Sequence, residues 1–335
     1  MTLFVRPTAR LTLLALPLAL TAALPALAQS ANSGSNVTVY GRVDLGAGRY
    51  AQDIKSSEDT KAMVQDSSTA RLGFRGTEDL GGGLSAFFNL EHRFKADTGV
   101  QDGVMWKDKA FVGIGHKQFG SITLGRISSP GDNNGIAGRY EAFGGDSLAS
   151  NGSRGAKLVA KWDNTVYYQA PRWSGFSFGA AVSEASATQR KRVSGIQADY
   201  IQGPVLASVT YQTDASATDD WKTLALAGTY DFKVVKLMGI WAKSSDLNVA
   251  NNGEQTVLTL GAQIPAGPGQ VRVSWQKRDD NAALGSAAER RLGLGYHYPL
   301  SKQVSLNLSL AHHGYRKGTV DNGVMQYETA VRYNF

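Results

Sequence analysis

Two sequence patterns suggest catalytic or metal chemistry, but neither fits the geometry that this chemistry requires. Gly175, Ser177 and Gly179 match the G-x-S-x-G pattern of a serine nucleophile, which needs a turn from a strand into a helix. The residues that follow continue a strand pattern instead. His312 and His313 are adjacent, so on a strand their side chains point to opposite faces and cannot hold one ion. We therefore predict no enzyme activity, no cofactor and no metal site.

Arginines in segments with strand-like alternation form the other candidate for a functional cluster. They are Arg42, Arg71, Arg75, Arg93 and Arg126. Arg42 shares the polar side of its strand with Asp44, opposite the apolar residues. Arg126 shares its spacing with the apolar residues of its own strand, so we expect that strand to end there and the chain to turn inward. Such cations would steer anions, unless they only form salt bridges with neighbours such as Asp44 and Glu91.

The longest segment without periodicity spans residues 128–161. A loop of this length in a compact fold is usually functional or disordered. The segment carries two acids, Glu141 and Asp146, beside the glycine pair Gly144 and Gly145. These carboxylates either face a functional surface or are the solvated charges of an ordinary loop.

The elements that must position these residues are strands, because polarity alternates along the chain with a period of two. In 37–45 the odd positions are apolar or glycine, and the even positions carry Thr, Tyr, Arg and Asp. The same alternation recurs in 84–94 and in 304–310. A period of two gives a strand one apolar and one polar face. No segment after residue 29 shows the 3.6-residue period of an amphipathic helix.

The connections between these strands favour a membrane barrel over a soluble sandwich. Short turn-like breaks occur near 79–83, 116–120, 172–175, 201–204, 231–233, 265–269 and 299–303. Longer polar stretches fall near 51–67, 96–106, 128–161, 185–191, 214–220, 244–255, 279–289 and 317–323. This strict alternation predicts sixteen antiparallel strands with all short turns at one rim, as in outer-membrane barrels. Aromatic residues near the predicted strand ends fit the girdles found at membrane interfaces.

Residues 1–28 have the three parts of a secretory signal peptide. Arg6 and Arg10 form a basic region, 11–24 is a short uncharged apolar run, and 26–28 (ALA) is a small-residue cleavage site. A membrane-anchoring helix is the alternative, but it needs about 20 apolar residues. The remaining residues 29–335 then form a single barrel domain.

Composition narrows the partners of the exported chain. The 335 residues include no Cys, which excludes disulfides, thiol nucleophiles and Cys-ligated metals. The formal net charge is +7, but Lys and Arg are dispersed among acids, so we expect no nucleic acid partner. No basic cluster lies beside an amphipathic helix, as a membrane-surface patch would require. We therefore expect the positive charge around a cavity.

Specific segments resemble the general-diffusion porins of Gram-negative bacteria, in their β-proteobacterial and neisserial branch. The resemblance rests on 37–44 (VTVYGRVD), 71–84 (RLGFRGTEDLGGGL), 111–113 (FVG), 119–126 (FGSITLGR) and the ending 331–335 (VRYNF). Segment 140–146 (YEAFGGD) resembles the constriction loop of these porins and departs from the enteric form at Ala142. The terminal Tyr333 and Phe335 match the assembly signal of outer-membrane proteins.

The resemblance implies a homotrimer of sixteen-stranded barrels in the outer membrane of a Gram-negative bacterium, with a long third external loop folded into each lumen. It implies constriction cations at Arg42, Arg71 and Arg126, further cations nearer a rim at Arg75 and Arg93, and constriction-loop acids at Glu141 and Asp146. The implied partners are outer-membrane lipid, the outer-membrane assembly machinery, and the permeating ions and small solutes.

We therefore predict a water-filled channel for passive diffusion of ions and small hydrophilic solutes. The candidate arginines outnumber the nearby acids Asp44, Glu91, Glu141 and Asp146, which predicts weak anion selectivity. Two alternatives stay open. A solute-specific channel would need a continuous aromatic slide along the lumen, and an outer-membrane barrel hydrolase would need a Ser–His pair at the barrel wall.

Overall fold

The computed structural model describes most of the predicted barrel domain. The described residues are 36–51, 60–133, 136, 138–145, 147–151, 157–185, 191–216, 219–247, 250 and 252–335. The predicted signal peptide, residues 1–28, and the loop acid Asp146 lie outside them.

Antiparallel strands make up nearly all of the described chain. The strand segments are β1 (Asn36–Ala51), β2 (Thr60–Asp66), β3 (Ala70–Gly81), β4 (Leu84–Phe94), β5 (Lys109–His116), β6 (Gly120–Ser128), β7 (Lys161–Gln169), β8 (Phe176–Ser183), β9 (Val193–Gln202), β10 (Val205–Ala215), β11 (Asp220–Asp231), β12 (Lys236–Leu247), β13 (Gly253–Ala266), β14 (Gly269–Asp280), β15 (Ala288–Pro299), β16 (Val304–Lys317) and β17 (Val320–Asn334). The helical segments are short, α1 over Pro130–Asn133 and a 3-10 turn over Ala282–Leu284. Among the described residues, no helix has the length and apolar character needed to cross a membrane.

The sheet closes on itself. From β3 onward each strand pairs with the next, and β17 pairs with β1. The sheet has 17 segments, but β2 pairs with 45–51 of β1 and β3 pairs with 36–42 of the same strand. Because β2 and β3 therefore occupy a single strand position, the predicted sixteen-stranded antiparallel barrel is confirmed.

The connections separate the two ends of the barrel. Short turns such as 82–83 and 267–268 lie at one end, which we call the turn end, and their predicted positions are confirmed. At the other end, the loop end, some connections are shorter than predicted. The sequence predicts a loop at 317–323, but β16 continues to Lys317 and β17 begins at Val320. The strands persist there although polar residues occupy both faces, so alternation is lost before the strand ends.

The two faces of the barrel wall differ in polarity. In β16, Ser305, Asn307 and Ser309 are buried on one face, while Leu308 and Leu310 are exposed on the other. The apolar outer face suits lipid, and the polar inner face suits a water-filled lumen. Closure of the sheet pairs the backbone N–H and C=O groups inside the membrane, where no water can satisfy them.

The chain ends where the barrel closes. The Gly41 N–H donates to the Phe335 carbonyl at 2.9 Å, and the Phe335 N–H donates to the Gly41 carbonyl at 3.1 Å. A side chain at position 41 would not fit, because a Cβ there would lie 2.4 Å from the Phe335 ring. Tyr333 is also exposed, and its ring centroid lies 6.4 Å from that of Phe335. The terminal aromatic residues therefore belong to the closing seam.

Candidate pore constriction

The long loop, residues 129–160 between β6 and β7, contacts the polar inner face of the barrel wall. Near its start, the Asn133 amide donates to the Tyr167 hydroxyl of β7 at 2.7 Å. Further along, the Gln263 amide of β13 donates to the Ala142 carbonyl at 2.7 Å. The Leu148 N–H donates to Glu328 of β17 at 3.2 Å. The described hydrogen bonds between loop and wall thus extend from β7 to β17.

Glycines of the wall make room for this loop. A Cβ on Gly293 of β15 would lie 2.3 Å from the Ala149 carbonyl oxygen, and one on Gly295 would lie 2.7 Å from an aromatic ring of the loop. A Cβ on Gly261 of β13 would lie 3.2 Å from that of Ala142. Because these positions lack side chains, the loop backbone lies directly against the strands.

Glu141 holds the loop together and does not face the channel, which corrects our expectation of its orientation. The residue is 1% exposed. Its carboxylate accepts hydrogen bonds from the Phe143 N–H at 2.9 Å, the Ser150 hydroxyl at 2.9 Å and the Asn151 N–H at 3.2 Å. The chain can turn back toward this carboxylate because Gly144 adopts a positive φ of 70°. Glu141 is therefore shielded from ions in the lumen.

Arg42, Arg71 and Arg93 lie side by side on three neighbouring strands. Arg42 of β1 is in register with Arg71 of β3, which is in register with Arg93 of β4. Directly opposed residues have Cβ atoms about 5 Å apart, so the three side chains form one row, which we call the arginine row. The structure places Arg93 level with the other two, and not nearer a rim as we expected.

Buried carboxylates lie behind the arginine row. Glu91 of β4 lies 3.7 Å from Arg71 and 3.5 Å from Lys109 of β5. At the seam, Asp44 of β1 lies 2.6 Å from Arg332 of β17. Like charges directly opposite each other destabilise a sheet. These acids offset that repulsion and let the cations share one face.

Asp108, which directly precedes β5, is a further acid behind the row. Its carboxylate lies 2.8 Å from Arg93 and 3.6 Å from Lys161. Burial raises the pKa of Asp108, but a hydrogen bond with Glu91 and the positive charges of Lys161 and Arg93 together lower it by more, so the pKa lies well below its usual value. Asp108 is therefore negatively charged at neutral pH.

The other two candidate arginines lie apart from the row. Arg75 is exposed toward the turn end, with its guanidinium carbon 5.0 Å from the centroid of the Tyr40 ring. Arg126 forms an ion pair with Asp163 and donates to the Lys107 carbonyl at 2.7 Å. The strand does not end at Arg126, as we expected. Instead, β6 continues beyond it, past a register shift in its pairing with β7.

The sequence reasoning missed several basic residues of the inner wall, among them Lys109 and Arg332. Alternation could have found both. Lys109 begins β5 two residues before Phe111, on the face opposite the exposed Val112. Arg332 is buried between the exposed residues of β17 that flank it. Lys109 lies at a strand end and Arg332 lies within the terminal motif, so the alternation around each residue is less evident in the sequence.

In most ion pairs of the inner wall, the base is more exposed than the acid. The Arg71 side chain is 23% exposed and that of Glu91 is 2%, while Arg93 is 25% exposed and Asp108 is 7%. The same order holds for Lys109–Glu91, Arg172–Asp199, Arg278–Glu289 and Arg332–Asp44, and it fails for Arg126–Asp163 and Lys161–Asp132. Water in the lumen therefore meets more positive than negative charge along this wall.

The serine and histidine patterns that suggested catalytic or metal chemistry lie on strands of the barrel wall. Ser177 is buried on β8 and donates to the Ala170 carbonyl at 2.9 Å, and its strand continues to Ser183. His312 is exposed and His313 is buried, on opposite faces of β16. Over the described ranges, no group of three or more His, Cys, Asp or Glu side chains is placed to hold a metal ion.

Comparison with known proteins identifies the family of this barrel. The family model described as Gram-negative porin matches residues 15–318. The chain belongs to this family. The porin is 29% identical to an outer membrane porin protein of Bordetella pertussis, over 85% of this chain and 90% of that protein. It is 30% identical to outer membrane porin protein 32 of Delftia acidovorans, with 86% and 88% of the two chains covered.

Solved structures show the same architecture. An anion-selective porin from Comamonas acidovorans matches the porin with a TM-score of 0.78 and 26% identity, over 90% of this chain and 100% of that chain. OmpF of Salmonella typhi shares the fold, with a TM-score of 0.67 at 18% identity over 91% of this chain and 99% of that chain. The protein is thus a porin of the Gram-negative outer membrane, a channel and not an enzyme.

Proposed function

We propose that this porin is a weakly anion-selective channel for ions and small hydrophilic solutes. The observation that carries the proposal is the uneven exposure of the ion pairs, in which most bases face the lumen and most acids are buried behind them. No bond is made or broken during permeation, so selectivity depends on pore geometry and electrostatics. The acids offset much of the positive charge, so the preference is a ratio of permeabilities and not exclusion of cations.

The long loop narrows the path in which this charge acts. Its hydrogen bonds to the wall extend from β7 to β17, so we infer that solutes pass between the loop and the remaining arc, where Arg42, Arg71 and Arg93 stand. Exposed charges are screened over about 10 Å at 0.1 M salt. An ion in a path narrowed by the loop stays within this distance of the arginine row.

The remaining candidate residues take lesser roles in this proposal. Arg75 and Arg126 lie apart from the row, so they act as outlying cations. Glu141 contributes to loop stability through its hydrogen bonds, and Asp146 is proposed as a loop acid on its motif alone. The structural relative from Comamonas acidovorans is an anion-selective porin, which supports the same direction of selectivity here.

The family also suggests how the chain reaches and occupies the membrane. Residues 1–28 serve as a signal peptide that is removed on export. The barrels assemble as a homotrimer, with outer-membrane lipid around the apolar outer face. The outer-membrane assembly machinery recognises the terminal segment with Tyr333 and Phe335, both of which are exposed at the closing seam.

A second candidate function is selective uptake of small carboxylates. A recess of about 330 Å³ lies between the long loop and β7 to β9, with Arg139 and Arg172 among its lining residues. Arg172 is paired with Asp199, so the recess keeps a net positive charge. If this recess binds solute, small carboxylates will block the single-channel current more than uncharged sugars of similar size.

Planar-bilayer recording tests the main proposal. In a KCl gradient, we expect the reversal potential of the purified porin to have the sign of chloride preference. The preference should weaken as ionic strength rises, because salt screens the wall charges. A reversal potential of the opposite sign would contradict anion selectivity, and folded protein that carries no current would contradict the channel itself.

A further inference from the structure

An unbalanced basic site lies on the outer face of the barrel, at the loop end of β14 and β15. Arg290 of β15 is directly opposite Lys277 of β14 in the strand register. Both side chains point away from the lumen, because Lys277 alternates with the buried Gln276 and Arg290 shares its face with the exposed Leu292. Two like charges directly opposite each other destabilise a sheet, so this pair favours an anion beside it.

Arg316 of β16 adds a third positive charge to this site. In the strand register, Gly314 lies opposite Arg290, and Arg316 lies opposite Ala288. Arg316 is therefore a diagonal neighbour of Arg290, which places it within reach of a long side chain. A Cβ on Gly314 would have no atom closer than 3.7 Å. The three basic residues thus border a gap in the layer of outward side chains.

The acids nearby do not balance this charge. Lys277 pairs with Asp279 at 2.8 Å. Asp321 lies opposite Arg316 in the register, but no ion pair joins them in the described structure. Arg290 likewise has no hydrogen bond or ion pair with any described residue. Three bases therefore face two acids, and the site keeps a net positive charge.

The same rim carries other outward lysines that are neutralised. Lys222 of β11 pairs with Asp246 at 2.7 Å, and Lys243 of β12 pairs with Glu254 at 2.9 Å. The basic site is therefore a local feature of β14 to β16 and not a general property of the rim.

An exposed apolar surface continues from the site toward the turn end. Leu292 and Leu294 of β15 are half exposed, and Leu308 and Leu310 of β16 are exposed beside them. Leu292 lies opposite Trp275 of β14 in the register. A ligand seated here would meet positive charge at one end and a hydrocarbon-like surface at the other.

We propose that Lys277, Arg290 and Arg316 bind the phosphate of a phosphorylated lipid in the outer leaflet, whose acyl chains lie against this apolar surface. Arginine and lysine are the residues that bind phosphate oxygens through charge-assisted hydrogen bonds. The continuity of charge and apolar surface selects a lipid over a soluble phosphate compound. The proposal concerns the outer face and is independent of ion selectivity in the lumen.

Native mass spectrometry of the detergent-purified porin tests this site. The probes are bisphosphorylated lipid A, its phosphate-free form and inorganic phosphate. We expect the unmodified porin to bind the phosphorylated lipid, and K277Q/R290Q to bind it about tenfold more weakly, as expected for loss of hydrogen bonds to a charged group. The phosphate-free lipid should bind the unmodified porin no better than it binds K277Q/R290Q.

Two further variants make the test specific. K222Q/K243Q removes the same charge from the same rim, and it should leave lipid binding within about twofold of the unmodified porin, because each of those lysines is balanced by an acid of its own, whereas Arg290 has none. Gly314→Leu keeps every charge but fills the gap, and it should weaken binding as K277Q/R290Q does. Conductance of each variant in a bilayer verifies that the barrel is folded.

Three results would overturn the proposal. They are equal losses in K222Q/K243Q and K277Q/R290Q, equal binding of the lipid with and without phosphate, and displacement of the lipid by an equal concentration of inorganic phosphate. The first would indicate general attraction to the rim, the second a purely apolar contact, and the third a site for free phosphate. If K277Q/R290Q does not fold, unchanged binding by Gly314→Leu would be sufficient to reject the site.

Discussion

At the scale of single residues, the pairing of charges decides what a permeating ion meets. Glu91 and Asp108 are ionisable groups of the inner wall, but both are buried behind the cations that they pair with. Arg71 and Arg93 keep about a quarter of their side-chain surface exposed. A count of acids and bases would therefore underestimate the positive potential in the lumen, because the buried carboxylates lie farther from a permeating ion than the cations in front of them.

Reversing the charge of the arginine row should reverse the selectivity of the channel. We expect R42E/R71E to move the reversal potential in a KCl gradient toward cation preference, since two of the exposed charges change sign on the path of the ions. The matched control is K233E/K302E, which makes the same change in charge at exposed positions of the short turns. An equal shift in both variants would show that net charge, and not the row, sets the preference.

Neutralising Asp108 should cost stability at neutral pH and little at low pH. The folded-state pKa of Asp108 lies below its usual value, so its charge stabilises the fold above about pH 4, the ordinary pKa of Asp, and this contribution is lost as the pH falls toward the folded-state pKa. We expect D108N to lower the unfolding temperature of the detergent-solubilised barrel at pH 7, with a smaller difference at pH 3. A difference that grows as the pH falls would contradict this assignment.

At the scale of elements, alternation was sufficient to predict most of the strands. It missed β2, which lies within the predicted connection 51–67, and it failed where polar residues occupy both faces of a strand. The predicted β16 and β17 are too short at the loop end, because polar residues occupy both faces there and alternation does not mark the strand ends. The position of Arg126 also could not be predicted, because it depends on a register shift between β6 and β7. The orientation of Glu141 depends on the local loop geometry around Gly144, which a motif does not specify.

The contact between the long loop and the wall should depend on the glycine at position 293. A valine there would collide with the Ala149 carbonyl, because even a Cβ would lie 2.3 Å from that oxygen. Overpacking of this kind costs about 1–3 kcal/mol, and a loop can relieve it by moving away from the wall. We therefore expect G293V to change single-channel conductance and to make the open-channel current noisier.

The control for this variant is Gly228→Val on β11. A Cβ at Gly228 has no neighbour closer than 3.6 Å, and the register places this residue opposite Gly239, away from the loop contacts. Its conductance should match that of the unmodified porin. If G293V also conducts without change while its barrel remains folded, the loop does not border the conducting path.

At the scale of the whole molecule, the first and last strands must meet before the barrel exists. β1 pairs with β17 over 42–49, and it pairs with β2 and β3 on its other side. Every strand position then has two neighbours, so no edge is left exposed to lipid. The order of strands could be predicted from the alternation of short and long connections, whereas the fit of the terminal ring against Gly41 needed the structure.

Removing the last residue should impair insertion into the outer membrane without affecting export. Phe335 supplies one backbone donor and one acceptor to Gly41 at the seam, and its ring occupies the space left free at that glycine. Deleting it removes this closure and one of the two exposed terminal aromatic residues. We expect the truncated chain to reach the periplasm in normal amounts, with less folded barrel in the outer membrane at low expression. Phe335→Tyr, which keeps the backbone pairing and an aromatic ring, should insert as the unmodified chain does; normal insertion of the truncated chain would show that the terminal residue is dispensable for assembly.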